Sequence, residues 1–551
     1  MNPLILRGIR ERLRGKHMIA AGLFSLILCS TIYLSAYLDG ADSQWRLDPE
    51  TNEYKQGEPS PIDGARQAFT YLLALQGFFL MFLGTGRVAA ITAEEKESGL
   101  MDYQRMTPMN PFSKILGYLF GLPAREYFMF AITLPFLLHC MIVGELSAEN
   151  VLHLYFVFFS SVVLYHLTGH VIGLVVPKPR AASWVSRIVV LGLYVVLPAF
   201  GQAGISFLSF LTILPTYFGK MLPELISLDN GGYRRWENDM IDFWQDVPFF
   251  TTEISPAFFT LIMQGLLLTA LLITAYRKWR NDSLPAFSKT SGIIIFAVFQ
   301  FLLLGSLWPF FSEGKASGLL GESLSLDNDP AMPYLIAVQS IFFGLSILGI
   351  LTLVNTCCPN RHLHLKGVQR ARRLGLRSIP MTADESRGTW FVLVLSAMVC
   401  VVHGILLSQA QESNLFFIES EIGLSWTVKI GFGTFLLPSL LVIACSLYLQ
   451  AARELWFSLG FWGFIGLLWI TPLLACLVLA VGSEGKQLDM IAILSSVCPL
   501  ISIPHILISQ YASDLPWDML EVFEQAAWTG LVVAVLLAGY LSFRLYRRPK
   551  E

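Results

Sequence analysis

Charge is what this chain of 551 residues has least of: Asp, Glu, Lys and Arg make up 14% of it, against about 25% in ordinary soluble domains. A soluble chain of this length would divide into three or four domains at roughly 150 residues each, and so little charge cannot cover their surfaces. Hydrophobic residues at 54% and aromatics at 13% also exclude disorder, collagen and coiled coil. No excess of one sign is present: 38 basic and 40 acidic residues leave a net charge of −2, so nothing marks a nucleic-acid partner. Cysteine is missing where a disulfide framework would need it. The eight cysteines sit almost entirely in or beside apolar runs, and the long loops at 39–66 and 214–255 have none. Cys357 and Cys358 are adjacent, without the spacing of a zinc knuckle, so all eight read as small buried hydrophobes.

Catalytic motifs are missing too. The Gly-Lys pairs Gly15–Lys16, Gly219–Lys220, Gly314–Lys315 and Gly485–Lys486 are not followed by Ser or Thr, so no P-loop cradles phosphate here. Neither G-x-S-x-G nor H-E-x-x-H occurs, and the chain is expected not to be an enzyme. No apolar run carries Asp or Glu near its centre, which argues against a proton- or ion-coupled carrier. His166 and His170 share one helical face. Without a third ligand they read as interhelical hydrogen-bonding groups rather than a metal site, and Gln76, Gln264, Gln300 and Gln339 read the same way.

What the chain does have is long apolar runs, near 18–38, 68–92, 126–144, 151–176, 185–200, 256–276, 291–311, 333–355, 389–409, 426–450, 456–481 and 526–545. Each is long enough to cross a hydrocarbon core of about 30 Å. Backbone in lipid must bond within its own segment, so these runs are helices. The first is too long for a signal-peptide core and reads as a retained span. The run at 489–511 contains Pro499 and Pro504, and the acidic stretch 512–525 after it has no Lys or Arg. It is read as re-entrant from the outer face. Both termini then lie in the cytoplasm, with most of the 38 basic residues on that side.

The expected fold is therefore all-α and polytopic, with about twelve transmembrane helices. They form two six-helix halves, 1–288 and 289–551, each with a broken or re-entrant outer segment before its last helix. Loop order repeats between the halves, as in many transporters, without residue-by-residue identity.

The inner loop 93–124 carries mixed charge: Glu94, Glu95, Lys96, Glu97, Asp102, Arg105 and Lys114. Residues 94–106 are predicted as a helix with Leu100, Met101 and Tyr103 partly buried, stopped by Pro108 and Pro111. By periodicity alone it is either a docking helix for a soluble partner or a solvated connector. The inner loop 356–388 is basic and could hold anionic lipid headgroups. Positive-inside orientation alone accounts for its charge and is the preferred reading.

The stretch from Glu94 resembles the signature of type-2 ATP-binding-cassette (ABC) permeases. Glu94, Glu95 and Lys96 match its charged start, Gly99 and Leu100 its Gly-Thr-Leu, Thr107 and Pro108 its Thr-Pro element, and Gly117 the glycine opening the third span. Ser98, Asn110 and Tyr118 depart from it, Tyr118 standing where the family has lysine. Residues 3–17 resemble the family's interfacial elbow helix. Leu4, Ile5, Ile9 and Leu13 fall on one face, and Arg7, Arg10 and Arg14 on another. The motifs cover residues 1–130 and the topology fits to about 285; the second half resembles a permease by topology only.

The resemblance implies the permease subunit of an ATP-driven exporter in the plasma membrane. A separate ABC-type ATPase, in two copies and carrying ATP and Mg, would dock on Glu94, Glu95, Lys96, Glu97, Gly99, Leu100, Asp102, Arg105, Thr107 and Pro108. No cofactor is expected in this chain. The pathway would be completed by this chain or by a second permease chain, with membrane lipids around it. The alternative is an ATPase-independent secondary transporter or a membrane-embedded lipid-handling protein.

Overall fold

The computed structural model describes residues 2–41, 45–47, 54–56, 59–202, 206–226, 241, 244, 246–281, 284–313, 332–413, 418–419, 425–426, 432–456, 458–482, 488–511 and 516–547. Of the two long loops at 39–66 and 214–255, residues 42–44, 48–53, 57–58, 227–240, 242–243 and 245 fall outside them. So do residues 512–515 and the terminal Arg548 and Lys550. Two compact units emerge, one drawn from Met1–Ser283 and one comprising the described residues from Leu284 onward. Among the described residues, twelve helices are long and apolar enough to cross a membrane, and the chain is an all-α multi-pass membrane protein.

In the first unit, α1 (Pro3–Arg12) starts where Asn2 caps the Leu4 amide and Pro3 presets φ. Expected over 3–17, the elbow helix ends at Arg12. Leu13 leaves helical dihedrals, Arg14 lies in the link, and α2 (Gly15–Ala41) begins as the first span. The first strand pair, β1 (Trp45–Leu47) with β2 (Tyr54–Gln56), is antiparallel. The second span is a rod from Pro61 to Glu97, built of α3 (Pro61–Gly77), a π-helical stretch over Phe78–Gly84, and α4 (Thr85–Glu97). It outruns the expected 68–92 because polar helix ends leave no hydropathy signal.

Next come α5 (Leu100–Met106), α6 (Pro111–Gly121), α7 (Ala124–Val143), α8 (Ala148–Val175) and α9 (Pro179–Gln202). A broken segment follows, of α10 (Ser206–Ser209), α11 (Leu214–Thr216), a π-helical turn at Tyr217–Met221 and α12 (Leu222–Leu225). The hairpin β3 (Val247–Phe249) and β4 (Thr252–Ile254) then leads into α13 (Pro256–Arg280). The core of this unit lies between α3, α7 and α8, around Phe69, Leu72, Phe79, Leu154 and Phe158.

The spans of the second unit begin with α14 (Lys289–Glu313) and α15 (Met332–Cys357). A surface helix, α16 (Arg361–Arg373), precedes α17 (Thr389–Ser413). The short pair β5 (Ile418–Glu419) and β6 (Ser425–Trp426) precedes a π-helical turn at Phe432–Leu436 and α18 (Leu437–Leu455). The next span is α19 (Ser458–Ile465), a π-helical turn at Gly466–Ile470 and α20 (Thr471–Gly482).

The run at 489–511 forms two short helices, α21 (Leu488–Ser495) and α22 (Pro499–Tyr511), before α23 (Trp517–Arg547). At 1.5 Å per residue they rise about 12 and 20 Å, too little to cross about 30 Å. Their turn reaches halfway along α23. A Cβ on Gly530 would lie 2.6 Å from Ser496 O and 2.2 Å from Ser502 Oγ, and the segment then returns towards the start of α23. The two short helices thus pack against the first half of α23. The acidic stretch before the last span is not a separate segment from Trp517 on. Asp518, Glu521 and Glu524 lie in the first turns of α23, where acids complement the helix dipole.

The four intramembrane glutamines singled out in the sequence each bond across helices. Gln76 donates to Thr133 (2.8 Å) and accepts from Tyr155; Gln264 donates to Ser161 (2.8 Å), Gln300 to Ser346 (3.0 Å) and Gln339 to Tyr511 (3.4 Å). Both ring nitrogens of His166 and of His170 are engaged. His166 meets Leu80 O and the Tyr127 hydroxyl, and His170 meets Thr92 Oγ1 (3.1 Å) and Trp279 Nε1 (2.9 Å).

Candidate functional site: a docking loop locked to the ends of three spans

The sequence suggests one helix over 94–106; the structure has two. The second span runs to Glu97, and Gly99 then adopts a left-handed φ of 75°, which costs any other L-residue about 1–2 kcal/mol. The break restarts the helix as α5 with its faces turned. Met101 and Gln104 are buried, whereas Tyr103 and Met106, three apart and on one face, are 65% and 77% exposed. Tyr103, expected partly buried, points outward because the register resets at Gly99.

The inward side of the loop is held at several points. Glu95, expected on the docking surface with its neighbours, is buried at the end of α4. One carboxylate oxygen pairs with Arg7 of α1 at 3.2 Å; the other accepts from Gln104 Nε2 at 3.2 Å and from the Tyr118 hydroxyl. Tyr118 Oη also lies 2.9 Å from Gln104 Oε1. Its single proton goes to the charged acceptor, where the bond is stronger. Burial first, and Glu95 second, raise the Tyr118 phenol well above its usual range, so it stays protonated at physiological pH. Arg7 is about half exposed, so its pairing with Glu95 is screened; the buried Tyr118–Glu95 bond carries more of the energy. Tyr118 thus serves the buried end of α4 as a donor to Glu95.

Lys114, one turn before Tyr118, donates to Gln104 O at 2.7 Å and Thr107 O at 3.3 Å. It thereby satisfies carbonyls at the C-terminus of α5. Lys96 donates to Leu174 O at the end of α8, and Arg105 donates to Lys278 O at the end of α13 (3.1 Å) while pairing with Asp102 at 2.5 Å. The Tyr118 ring meets His170 (5.0 Å) and Trp279 (5.4 Å). Three spans and the elbow therefore all grip this one short loop.

The elbow itself sits on α6 by glycine-to-glycine contact. A Cβ on Gly8 would lie 2.3 Å from the backbone oxygen of Gly121, and one on Gly117 would meet Leu4 Cβ at 2.5 Å. Backbone cannot yield as a side-chain tip can, so Gly8→Val is expected to lift α1 off α6. Trypsin cleavage after Arg10 or Arg12 would then accelerate at least tenfold with helix content by circular dichroism unchanged. Unchanged cleavage would mean that the contact does not hold the elbow.

The remaining expected docking residues divide clearly. Glu94, Glu97, Gly99, Asp102 and Pro108 are exposed; Lys96, Leu100, Arg105 and Thr107 are half-buried. On the elbow, Arg7 and Arg10, like Arg14 in the link, are exposed. The exposed pair Tyr103 and Met106 did not stand out in the sequence, although their i,i+3 spacing after a helix-breaking glycine would have revealed them. Elsewhere in this unit, an apolar cavity of about 540 Å³ lies within the spans, lined by Leu73, Phe78, Met81, Tyr194 and Tyr217 among others.

No curated protein and no solved structure matches the chain. Residues 3–217, which run from the elbow into the broken segment after α9, match the family model of ABC-2 type transporters. With twelve candidate membrane-crossing helices among the described residues, the chain is a multi-pass membrane protein whose residues 3–217 are similar to the ABC-2 type transporter family.

Proposed function

We propose that this chain is the permease of an ATP-driven exporter, energised by a separate ABC-type ATPase that docks on α5. The observation that carries this reading is the two-sided character of α5. Its inner side is bonded to the end of α4 through Gln104 with Glu95 and to the end of α13 through Arg105, and the end of α4 is in turn held to α1 by Arg7 and to α8 by Lys96. Its outer side offers two large unsatisfied apolar side chains, Tyr103 and Met106, in an acidic setting of Glu94, Glu97 and Asp102. Such a patch on a polar surface marks a protein contact.

ATP and Mg sit on the partner. Closure of its two copies displaces α5, and the buried bonds pass that displacement to the spans as a rigid-body tilt. The loop and both termini then face the cytoplasm of a cell enclosed by the plasma membrane, in line with the bias of basic residues. The cargo path is completed by this chain or by a second permease chain. The buried acids Glu95, Glu126 and Glu454 lie close to the ends of α4, α7 and α18. None sits at a midplane where an ion-coupled carrier would need it, which favours this reading over the ATPase-independent one.

Glu94→Arg with Glu97→Arg reverses the charge beside the docking patch without touching the buried network. The double variant is expected to insert normally but to lose the co-purifying ATPase at physiological salt. Rim charges act mainly through association rate and are screened by salt, so the deficit relative to wild type is expected to narrow as salt rises. Full recovery of the ATPase with this variant would remove the acids from the interface.

A further inference from the structure

The second unit contains a cavity of about 930 Å³ where α16 and the chain from Leu374 to Gly388 cover the ends of α17, α18 and α23. We propose that it is a binding site for an anionic phospholipid, with the phosphate held by arginines of the cover and the acyl chains lying along the span ends. Its volume lies near the top of the roughly 300–1,000 Å³ range of sites that enclose small molecules.

The lining has two chemistries. Arg361, Arg372, Arg377 and Arg387 line it, with His364 beside them. No ion pair engages Arg372 or Arg377 among the described residues. The one lining acid, Glu454, is buried and already accepts from the Gly388 amide (2.8 Å) and the Gln450 side chain (2.6 Å). The site is therefore cationic, and guanidinium groups suit phosphate by geometry as well as charge. Leu376, Met381, Leu393 and Tyr546 are exposed apolar side chains around the same space. Such exposure beside Arg372 and Arg377 fits a ligand with both an anionic head and apolar tails. Trp390 and Tyr546 add aromatic rings at the ends of spans, where a headgroup region begins.

The cover is pre-formed. Lys289 is fully buried and donates to Ala383 O (2.8 Å), Ser386 O (2.8 Å), Ser386 Oγ (2.9 Å) and Asp384 O (3.3 Å). His364 Nδ1 meets Glu385 O at 2.8 Å. Arg387 stacks over the Tyr546 ring at 4.4 Å, tying the cover to the last span. A basic loop serving orientation alone would need no enclosed space and no such scaffold.

The test uses the full chain purified in neutral detergent, titrated with dioleoylphosphatidylglycerol, dioleoylphosphatidylcholine and inorganic phosphate, with binding read by native mass spectrometry. Wild type is expected to bind the anionic lipid at least tenfold more tightly than the zwitterionic one. Arg372→Gln with Arg377→Gln is expected to weaken it about 30-fold. Lys366→Gln with Arg373→Gln removes equal charge from α16 outside the cavity and is expected to change binding less than threefold. Leu376→Asp is expected to weaken lipid binding without creating phosphate binding. Equal losses from the two charge pairs would reduce the effect to diffuse attraction and overturn the site. Equal affinity for inorganic phosphate, or no preference for the anionic lipid, would overturn the lipid assignment. Unchanged thermal unfolding of each variant keeps these outcomes separate from misfolding.

Discussion

Tyr103→Asp with Met106→Asp is expected to abolish capture of the ATPase and with it all ATP-dependent transport. Both side chains project from α5 with 65% and 77% of their surface exposed, and on docking they would become the buried centre of the interface. Central anchors each contribute about 2 kcal/mol or more when truncated, so the pair amounts to about 4 kcal/mol, or roughly 1,000-fold in affinity. Aspartate adds the cost of burying a charge, in a surround that already holds Glu94, Glu97 and Asp102. The effect therefore exceeds that of the glutamate reversals, whose charges stay at the rim. Because Met101 and Gln104 on the opposite side are untouched, the loop is expected to keep its fold. Co-purification and ATPase stimulation check the result. Retention of the ATPase by the double variant would mean that α5 is not the docking element, whatever the fate of the acids beside it.

Lys289→Met is expected to release the cover of the cationic cavity in the second unit. The variant keeps length and apolar bulk but loses an ammonium group donating to three backbone carbonyls and one hydroxyl. Ala383 O keeps the Ser386 amide and hydroxyl as donors, but the other acceptors lose the ammonium, and each buried acceptor left without a donor costs about 1–3 kcal/mol. Two bonds outside the cage, His364 with Glu385 and Gly388 with Glu454, do not replace it, because neither reaches Ala383 or Ser386. Native-state trypsin cleavage at Arg377 and Arg387 is expected to rise at least 100-fold, about 3 kcal/mol of local opening. An unchanged cleavage rate would show that those two bonds suffice to hold the segment.

Local signals were legible where the physics is local. Long apolar runs predicted the twelve candidate spans, and the prolines at 499 and 504 marked 489–511 as an interrupted run, which the structure divides into α21 and α22. Pro108 and Pro111 were read as ending the loop helix, and α5 does end at Met106 before them. Boundaries were less legible, because a charged helix end looks like a loop in hydropathy. The second span therefore extends through Glu97, and the last begins at Trp517.

The sequence by itself determined a multi-pass helical membrane protein with a charged, proline-stopped loop between its second and third spans, since composition and periodicity within a segment decide those properties. Only the tertiary structure decided which side of that loop faces inward. The outcome depends on one positive φ at Gly99 and on partners distant in the chain: Arg7, Tyr118, Leu174 and Lys278. Burial of Glu95 and exposure of Tyr103 follow from those contacts, and no window of neighbouring residues contains them.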